Sequence, residues 1–265
     1  SEGGIAEVLA LLGDGAPQIT LTDPPTLGAL LDAARAIEQA ADARLQELKA
    51  QIDEAVYDLY EISPEDRALI GRELGDRPPE LVWPQMEGKS DKEKRREHVR
   101  RLISYFLLQA LKEKRDGILP LTPGAGQNTA LDEVRRRMET EFGEDAAFRM
   151  ETEIKPMLGR DIADWLDGPF VKWHTKLYKR RPIIWHLASP RNLFACFVHY
   201  HKLDRDTLRK VQTLYLWPQR RAIESELEMA KRDQRDGVSG ATARIDDAEA
   251  ALEALDEFEK RLLAV

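Results

Sequence analysis

Four of the five histidines and the only cysteine lie between residues 174 and 201, where they invite a metal-site interpretation. A zinc site needs four ligands, but Cys196 and His199 supply a single C-x2-H pair without a second pair at matching spacing. On a strand, His199 and His201 would share one face while Cys196 lies on the other. The spacing therefore argues against a metal, and Cys196 is predicted to be a small buried apolar residue.

The same region is strongly basic. Residues 171–221 contain twelve Lys or Arg against two acids (Asp204 and Asp206), so 12 − 2 gives +10 inside a chain of net charge −8. Cations neutralise phosphates and release counterions, while interleaved aromatic rings offer stacking surface, so the pattern predicts a nucleic-acid surface. The predicted phosphate contacts are Lys172, Lys176, Lys179, Arg180, Arg181 and Arg191.

Further predictions concern the neighbours of these cations. Base or sugar contacts are predicted for Tyr178, Asn192, His199 and His201, and packing roles for Trp173, Trp185 and Phe197. A helix over residues 170–179 would align Lys172, Lys176 and Lys179 as one basic stripe, with Trp173 and Leu177 facing the core. The alternative is a solvated stripe over a buried aromatic cluster.

Other short motifs do not indicate a catalytic centre or a cofactor site. Asp23-Pro24-Pro25-Thr26 resembles the tetrapeptide that holds the target amine in amino-methyltransferases, but its fourth residue has no ring for stacking. Gly124-Ala125-Gly126 lacks the preceding strand and the Gly-Lys-Ser/Thr ending of a phosphate loop. Both are interpreted as ordinary turns or loops.

Several helices and one hairpin must position these residues. Apolar spacing predicts a long amphipathic helix from Leu27 with Thr26 as its N-cap, and Ser63 caps the next helix. Residues 88–97 are a charge run interpreted as a solvated helix start, and residues 98–111 as a buried helix. An irregular loop is predicted over 119–128, then helices from Leu131 and over 148–158.

Residues 183–187 and 194–200 are β-branched and aromatic and flank a turn composition. They predict a small antiparallel β-hairpin around 182–201, with a helix over 193–200 as the alternative. A helix over 207–229 with a break at Trp217-Pro218 and a final amphipathic helix over 241–263 complete the chain, and the two would pair as an antiparallel hairpin. The predicted fold class is mainly α, a multi-helix domain with long amphipathic helices.

The composition limits the possible class and cellular location of the protein. Hydrophobic content of 42% supports a core, and one cysteine excludes an internal disulfide framework and fits a reducing cytoplasm. No apolar run approaches the ~20 residues that span a bilayer, so we expect a cytoplasmic protein without membrane contact. The predicted organisation is a long helix and linker (1–62), a helical core with the basic hairpin (63–221), and a C-terminal helical hairpin (222–265).

The segment FVKWHTKLYKRRPIIWHLASP (170–190) resembles part of the C-terminal half of large N6-adenine DNA methyltransferases. These are the PglX type of BREX phage-exclusion systems and related fused restriction–modification enzymes. The elements that carry the resemblance are Arg181-Pro182-Ile183-Ile184-Trp185, Ser189, and Val198-His199-Tyr200-His201. Residues 207–216 are similar to the continuation, and residues 52–60, 99–105 and 117–121 resemble earlier blocks in the same order.

The resemblance implies a parent enzyme that uses S-adenosylmethionine to methylate adenine N6 in double-stranded DNA. The family's Gly-rich cofactor motif and Asn-Pro-Pro-Tyr motif are absent from this sequence, so the methyltransferase domain is expected upstream and this chain is not expected to hold the cofactor. What the resemblance implies here is a non-catalytic DNA-binding domain associated with target recognition. The alternative is a helical scaffold that docks other defence-system subunits, with the basic region meeting an acidic partner. A free-standing enzyme would have to bind S-adenosylmethionine by itself.

Overall fold

The computed structural model describes residues 10, 12–19, 21, 23–75, 83–122 and 126–264, with the backbone alone for residues 14, 84 and 191. The described residues form two units, whose boundary lies between His98 and Val99. The organisation into segments 1–62, 63–221 and 222–265 stays a prediction. The mainly helical fold class with a small antiparallel sheet is confirmed.

The first unit contains the helices α1 (Leu27–Leu59) and α2 (Pro64–Leu74). The Thr26 side chain accepts a hydrogen bond from Ala29 N–H (3.2 Å), and the Ser63 side chain accepts one from Asp66 N–H (3.2 Å). Each cap satisfies a backbone donor that the first helical turn leaves free. Both predicted helix starts are confirmed.

Helix α3 (Asp91–Glu113) begins in the first unit and continues into the second. The interpretation of residues 88–97 as a helix start is confirmed, because Ser90 Oγ accepts from Glu93 N–H (3.3 Å) one residue before α3. Within the first unit, the Arg95 guanidinium forms ion pairs with Asp32 of α1 and with Asp91 (2.9 Å to the latter). These contacts fix the first turns of α3 beside α1.

A three-stranded antiparallel sheet forms the centre of the second unit. Its strands are β1 (Ile118–Pro120), β2 (Ile184–Ala188) and β3 (Ala195–His199), in the order β1-β3-β2. The predicted hairpin is therefore confirmed, with Trp185 opposite Val198 in the register. Strand β1 was predicted as loop, and that prediction is wrong at 119–120; residues 123–125 of the predicted loop lie outside the described residues. Pro120 fits this strand because β1 is an edge strand, where a missing N–H is tolerated.

The described part of the second unit contains seven further helices. They are α4 (Ala130–Phe142), α5 (Glu144–Leu158), α6 (Ile162–Leu166), α7 (Pro169–Leu177), α8 (Thr207–Lys210), α9 (Trp217–Arg235) and α10 (Ala241–Leu263). The helices predicted near 131 and 148–158 are confirmed with starts one and four residues earlier. Thr129 explains the first start, since it forms a capping box with Asp132.

Strand β3 is buried along its whole length, on both faces of the sheet. On one face Cys196 and Val198 belong to the same apolar cluster as Leu255, Phe258 and Leu262 of α10. On the other face the Phe197 ring lies 5.2 Å from the Phe170 ring of α7, measured between centroids. Helices therefore cover both faces of the central strand, unlike the single covered face common in antiparallel sheets.

Residues Val211–Leu216 form a π-helical segment directly before Trp217-Pro218. Pro218 has no N–H to give to the Leu214 carbonyl, and Gln127 Nε2 donates to that oxygen instead (2.6 Å). The predicted break at Trp217-Pro218 is thus confirmed, with the irregular turn before the proline. Helices α9 and α10 then pair antiparallel, with Arg220 bound to Asp256 (2.6 Å).

Gly117 lies at a close approach between the end of α3 and the residues after β3. Its φ is +68°, and a Cβ built there would lie 2.9 Å from Lys202 Cβ and 2.9 Å from Lys202 Cδ. Lys202 has little room to move, because its Nζ donates to the carbonyls of Lys112 and Lys114 at the end of α3. The position therefore requires glycine for both conformation and space.

Gly117→Ala should lower the free energy of unfolding by about 2–4 kcal/mol, combining left-handed strain with overpacking. Gly159→Ala is the matched control, because Gly159 has φ +76° and no atom within 4 Å of a built Cβ. The control should lose only about 1 kcal/mol. Urea unfolding followed by circular dichroism compares the two, and equal losses would contradict the steric argument.

Candidate nucleic-acid interface

Helix α7 presents the first two predicted phosphate contacts to solvent. Phe170 and His174, four residues apart, are buried against the sheet, whereas Lys172 and Lys176 are exposed. The prediction that Leu177 faces the core is wrong, since its side chain is 39% exposed. Trp173 is partly buried, with its ring centroid 5.7 Å from that of Trp165. The amphipathic face of α7 is thus set by Phe170 and His174.

The chain leaves α7 through a Schellman-type turn built from basic residues. Arg180 N–H donates to Thr175 O (2.8 Å) and Lys179 N–H donates to Lys176 O (3.2 Å), the two hydrogen bonds that define this helix end. Lys179 has φ +49° and Arg180 has φ +66°. Glycine is the usual residue at the first of these positions, because a side chain in the left-handed region costs about 1–2 kcal/mol.

Only two of the three residues of the predicted basic stripe therefore lie on α7. Lys172 and Lys176 share the exposed face of α7, but Lys179 lies beyond the helix end and is oriented by the turn. We call Lys172, Lys176, Lys179, Arg180 and Arg181 the basic turn, since all five are exposed and close in sequence. No ion pair or hydrogen bond joins any of these five side chains to another residue within the part of the chain that the structure describes. Their charges are available to an external anion.

His174 joins α7 to the start of β2. Its Nε2 accepts a hydrogen bond from Ile184 N–H (3.1 Å), and its ring is 1% exposed. Burial lowers the pKa of His174 to about 4, so the ring is neutral at neutral pH and can act as this acceptor. The Tyr178 ring lies 4.6 Å from the His174 ring and is 37% exposed, so Tyr178 is accessible beside the basic turn.

The remaining predicted contacts differ in accessibility. His201 is exposed, with its ring 5.5 Å from that of His199. His199 is only 5% exposed, and burial, His201, Lys112 and Lys202 lower its pKa, so this ring does not reach a base from its observed position. Asn192 Nδ2 donates to both the backbone and the side-chain oxygen of Asp167 (3.2 and 3.1 Å). The Arg191 side chain lies outside the described residues.

Cys196 is buried and free, as predicted, and burial raises the pKa of its thiol. A buried neutral thiol is neither a good nucleophile nor a ready metal ligand. Within the described residues, no group of three His, Cys, Asp or Glu side chains is arranged to hold a metal ion. The histidine and cysteine cluster instead lies in and around the packed sheet.

Sequence reasoning missed an exposed aromatic pair. Trp185 was predicted to pack, but it is 42% exposed, and its ring lies 5.6 Å from that of Tyr200, which is 48% exposed. The strand alternation of β2 could have indicated this, because Ile184 is buried and the next residue points to the opposite face. The prediction that Phe197 packs is confirmed, as its ring is fully buried.

Comparison with known proteins supports a relationship to adenine-specific methyltransferases over part of the chain. No protein-family model matches. The chain is 31% identical over 143 residues to the adenine-specific methyltransferase BrxX of Escherichia coli O9:H4 (strain HS), covering 48% of this chain. It is 37% identical over 67 residues to the adenine-specific methyltransferase PglX of Lacticaseibacillus casei (strain Zhang), covering 25% of this chain. The matches span 12% and 6% of those two proteins.

These observations therefore relate part of this chain to BREX-like adenine-specific methyltransferases. The likeness is to BrxX and PglX over limited regions, so their activity is not transferred to this chain by the matches alone. Among the described residues, no helix is long and apolar enough to cross a membrane.

The buried neutral His174 predicts a pH-dependent stability. The unfolded ring takes up a proton near pH 6.5, whereas the folded ring does so only near pH 4, so stability is full above the first value and falls as the pH drops between them. His174→Gln, which keeps an acceptor for Ile184 N–H, should reduce this loss of unfolding free energy by about 2 kcal/mol. Urea titrations at about pH 7 and about pH 4.5 measure the effect.

The matched control is His201→Gln, at an exposed histidine of the same region. Burial also lowers the pKa of His186, so part of the pH dependence should persist in His174→Gln. An unchanged pH dependence in His174→Gln would show that His174 is not held neutral by burial.

Proposed function

We propose that this chain is a non-catalytic, DNA-binding and target-recognition-associated part of a BREX-like adenine-specific DNA methyltransferase. The observation that carries the proposal is the basic turn, whose five cations are exposed without an ion-pair partner among the described residues. Other cations have partners within the chain, as where Arg220 forms ion pairs with Asp256 and Glu259.

The conformation of the turn supports the same proposal. Lys179 and Arg180 occupy left-handed backbone positions where glycine or asparagine would be easier to accommodate. Strained positions cluster at functional sites, where the surrounding structure maintains them. Two long cations held there project charge from the rigid end of α7, and no acid occurs in residues 171–203 to reduce the positive potential.

Double-stranded DNA is the proposed partner because its phosphates carry a dense line of negative charge. Cations that neutralise phosphates supply sequence-independent affinity and fix the register of a protein on the duplex. The basic turn would provide such contacts, and the exposed Tyr178 and His201 are proposed to contact sugar or base edges. His199 is withdrawn from the proposed contacts because it is buried.

The proposed parent enzyme would transfer a methyl group from S-adenosylmethionine to adenine N6, with the catalytic domain outside this chain. The names of the relatives support adenine-specific methyl transfer, while the cofactor, the N6 position and the association with phage defence rest on the resemblance to the BREX type. The described strands of this chain form an antiparallel sheet, which differs from the strand, Gly-rich turn and helix of dinucleotide-type cofactor sites.

Lys179→Ala/Arg180→Ala/Arg181→Ala should weaken duplex binding by about ten- to hundredfold near physiological salt. The logarithmic salt slope should fall by about two to three, because each lost phosphate contact removes about 0.9. Fluorescence anisotropy with labelled duplex DNA, titrated between about 50 and about 200 mM salt, measures both quantities.

The matched control is Arg149→Ala/Arg160→Ala/Lys260→Ala, which removes the same charge from exposed positions outside the basic turn. It should change the affinity much less than the first variant. Equal binding by the wild-type chain and the basic-turn variant would reject the proposed function.

Two substitutions at Lys179 separate the charge from the backbone conformation. Lys179→Gly and Lys179→Ala both remove the charge and should weaken DNA binding equally, by about threefold to tenfold. The glycine variant should be more stable than the alanine variant by about 1 kcal/mol, because glycine adopts the left-handed conformation without strain. Paired anisotropy and urea measurements give both values, with Lys179→Arg as the variant that keeps binding. Wild-type affinity in Lys179→Gly would contradict a phosphate contact.

A second candidate function is a helical docking surface, favoured by one observation in the first unit. An apolar stripe at spacings of three and four residues is exposed along α1, with exposures of 37–77% at Leu45, Leu48, Ile52, Val56 and Leu59. Such a helix face is suited to pack against a partner helix. The salt titration above separates the candidates, since binding through this stripe would not depend on the basic turn.

A further inference from the structure

Trp185 and Tyr200 form an exposed aromatic pair beside the basic turn. Trp185 lies on the edge strand β2, and Tyr200 follows the end of β3 in the neighbouring position. Their ring centroids are 5.6 Å apart with an interplanar angle of 32°, and each ring keeps more than 40% of its residue surface exposed (42% and 48%). Exposed aromatic rings offer flat apolar surface with a polar edge to a ligand.

Two hydrogen bonds tie the pair to the segment that directly follows the basic turn. Trp185 Nε1 donates to Pro182 O (3.1 Å), and Pro182 directly follows Arg181 of the basic turn. Tyr200 N–H donates to Ile183 O (2.9 Å), which holds the residues after β3 against the start of β2. The indole is therefore oriented by the same short segment that ends the basic turn.

We propose that Trp185 and Tyr200 are a stacking platform for an unpaired nucleobase, so that this surface binds single-stranded DNA. The inference rests on the proposed function, because the basic turn would hold the phosphates of the strand whose base stacks. Proteins that bind single strands combine a cationic track with aromatic rings of this kind, and every base offers a flat face to such a ring. In a duplex those faces are already covered by neighbouring bases, so a base must be unpaired to use the platform.

The surroundings of the platform suit a base better than an acidic peptide. Trp185 opens onto a groove of about 780 Å³ whose walls include Leu187, Leu203 and Phe258, and apolar walls match the faces of a base. One acid, Glu257, also lines this groove, and its carboxylate forms an ion pair with Arg261. An acidic peptide would engage the cations and would gain little from the two partly exposed rings.

The test compares a fluorescein-labelled single strand with the same strand annealed to its complement, using the 265-residue chain. Trp185→Leu and Tyr200→Leu should each weaken single-strand binding by about fivefold or more, since stacking on an aromatic ring contributes that much or more per base. The salt slope should stay unchanged, because no phosphate contact is lost. Duplex binding should change by less than about twofold.

Tyr105→Leu is the matched control, since Tyr105 is also 48% exposed but lies on α3. It should bind both probes as the wild type does. Tyr200 lies outside the strands, so Tyr200→Leu tests the platform even if Trp185→Leu weakens the sheet; thermal unfolding of each variant identifies that case.

The outcomes separate the platform from the function on which it rests. If the basic-turn variant weakens binding but both leucine variants bind the single strand normally, the platform is rejected and the proposed function stands. Equal weakening for single strand and duplex would also reject the platform, because a stacked unpaired base would no longer explain the loss. If the basic-turn variant leaves both probes unaffected, the proposed function fails together with the platform.

Discussion

The burial of β3 on both faces is the constraint on which the second unit depends. A five-residue strand with apolar side chains on one face and Phe197 on the other can be shielded only if separate helices cover each face. Helix α10 supplies one cover through Leu255 and Phe258, and α7 supplies the other through Phe170. Burying a Phe or Leu side chain contributes about 1.5–3 kcal/mol, so these contacts outweigh any single surface ion pair.

The same arrangement determines what remains on the surface. Because Phe170 and His174 face the sheet, the opposite face of α7 carries Lys172 and Lys176 into solvent. His174 then aligns the start of β2 through Ile184 N–H, and the short connection between the helix and the strand holds Lys179 to Pro182 in a defined conformation. The exposed cations and the exposed Trp185 are therefore consequences of a rigid core, and a preorganised surface loses less entropy on binding.

At the basic turn, the stability of the folded chain and the proposed DNA-binding role place opposite demands on the sequence. Two consecutive non-glycine residues in left-handed conformations and a run of unpaired like charges both destabilise the folded chain. Elsewhere in the described residues, polar groups have stabilising partners. Tyr215, for example, donates to Asp116 Oδ2 (2.7 Å), which ties the π-helical segment to the turn before β1. The unpaired cations of the basic turn destabilise the folded chain, but an anion-binding surface requires such free positive charge.

Local chemistry in the sequence determined most of the helices. The caps at Thr26 and Ser63, the proline at 218 and the apolar spacing of the last helix depend on neighbours a few residues away, and sequence reasoning predicted each of them. The hairpin was also predictable, because β-branched and aromatic runs flank a turn composition. The basic character of residues 171–221 follows from composition alone.

Contacts between residues far apart in the chain decided the rest. Strand β1 exists because Ile118 pairs with Val198, a contact that no local propensity encodes in three residues ending at a proline. The same long-range packing buried His199 and left Trp185 exposed on the edge strand. The sequence by itself therefore determined which segments are helical and where positive charge accumulates, through short-range hydrogen bonding and composition. Only the tertiary structure decided which of those side chains reach solvent, because burial depends on which distant elements pack against each face.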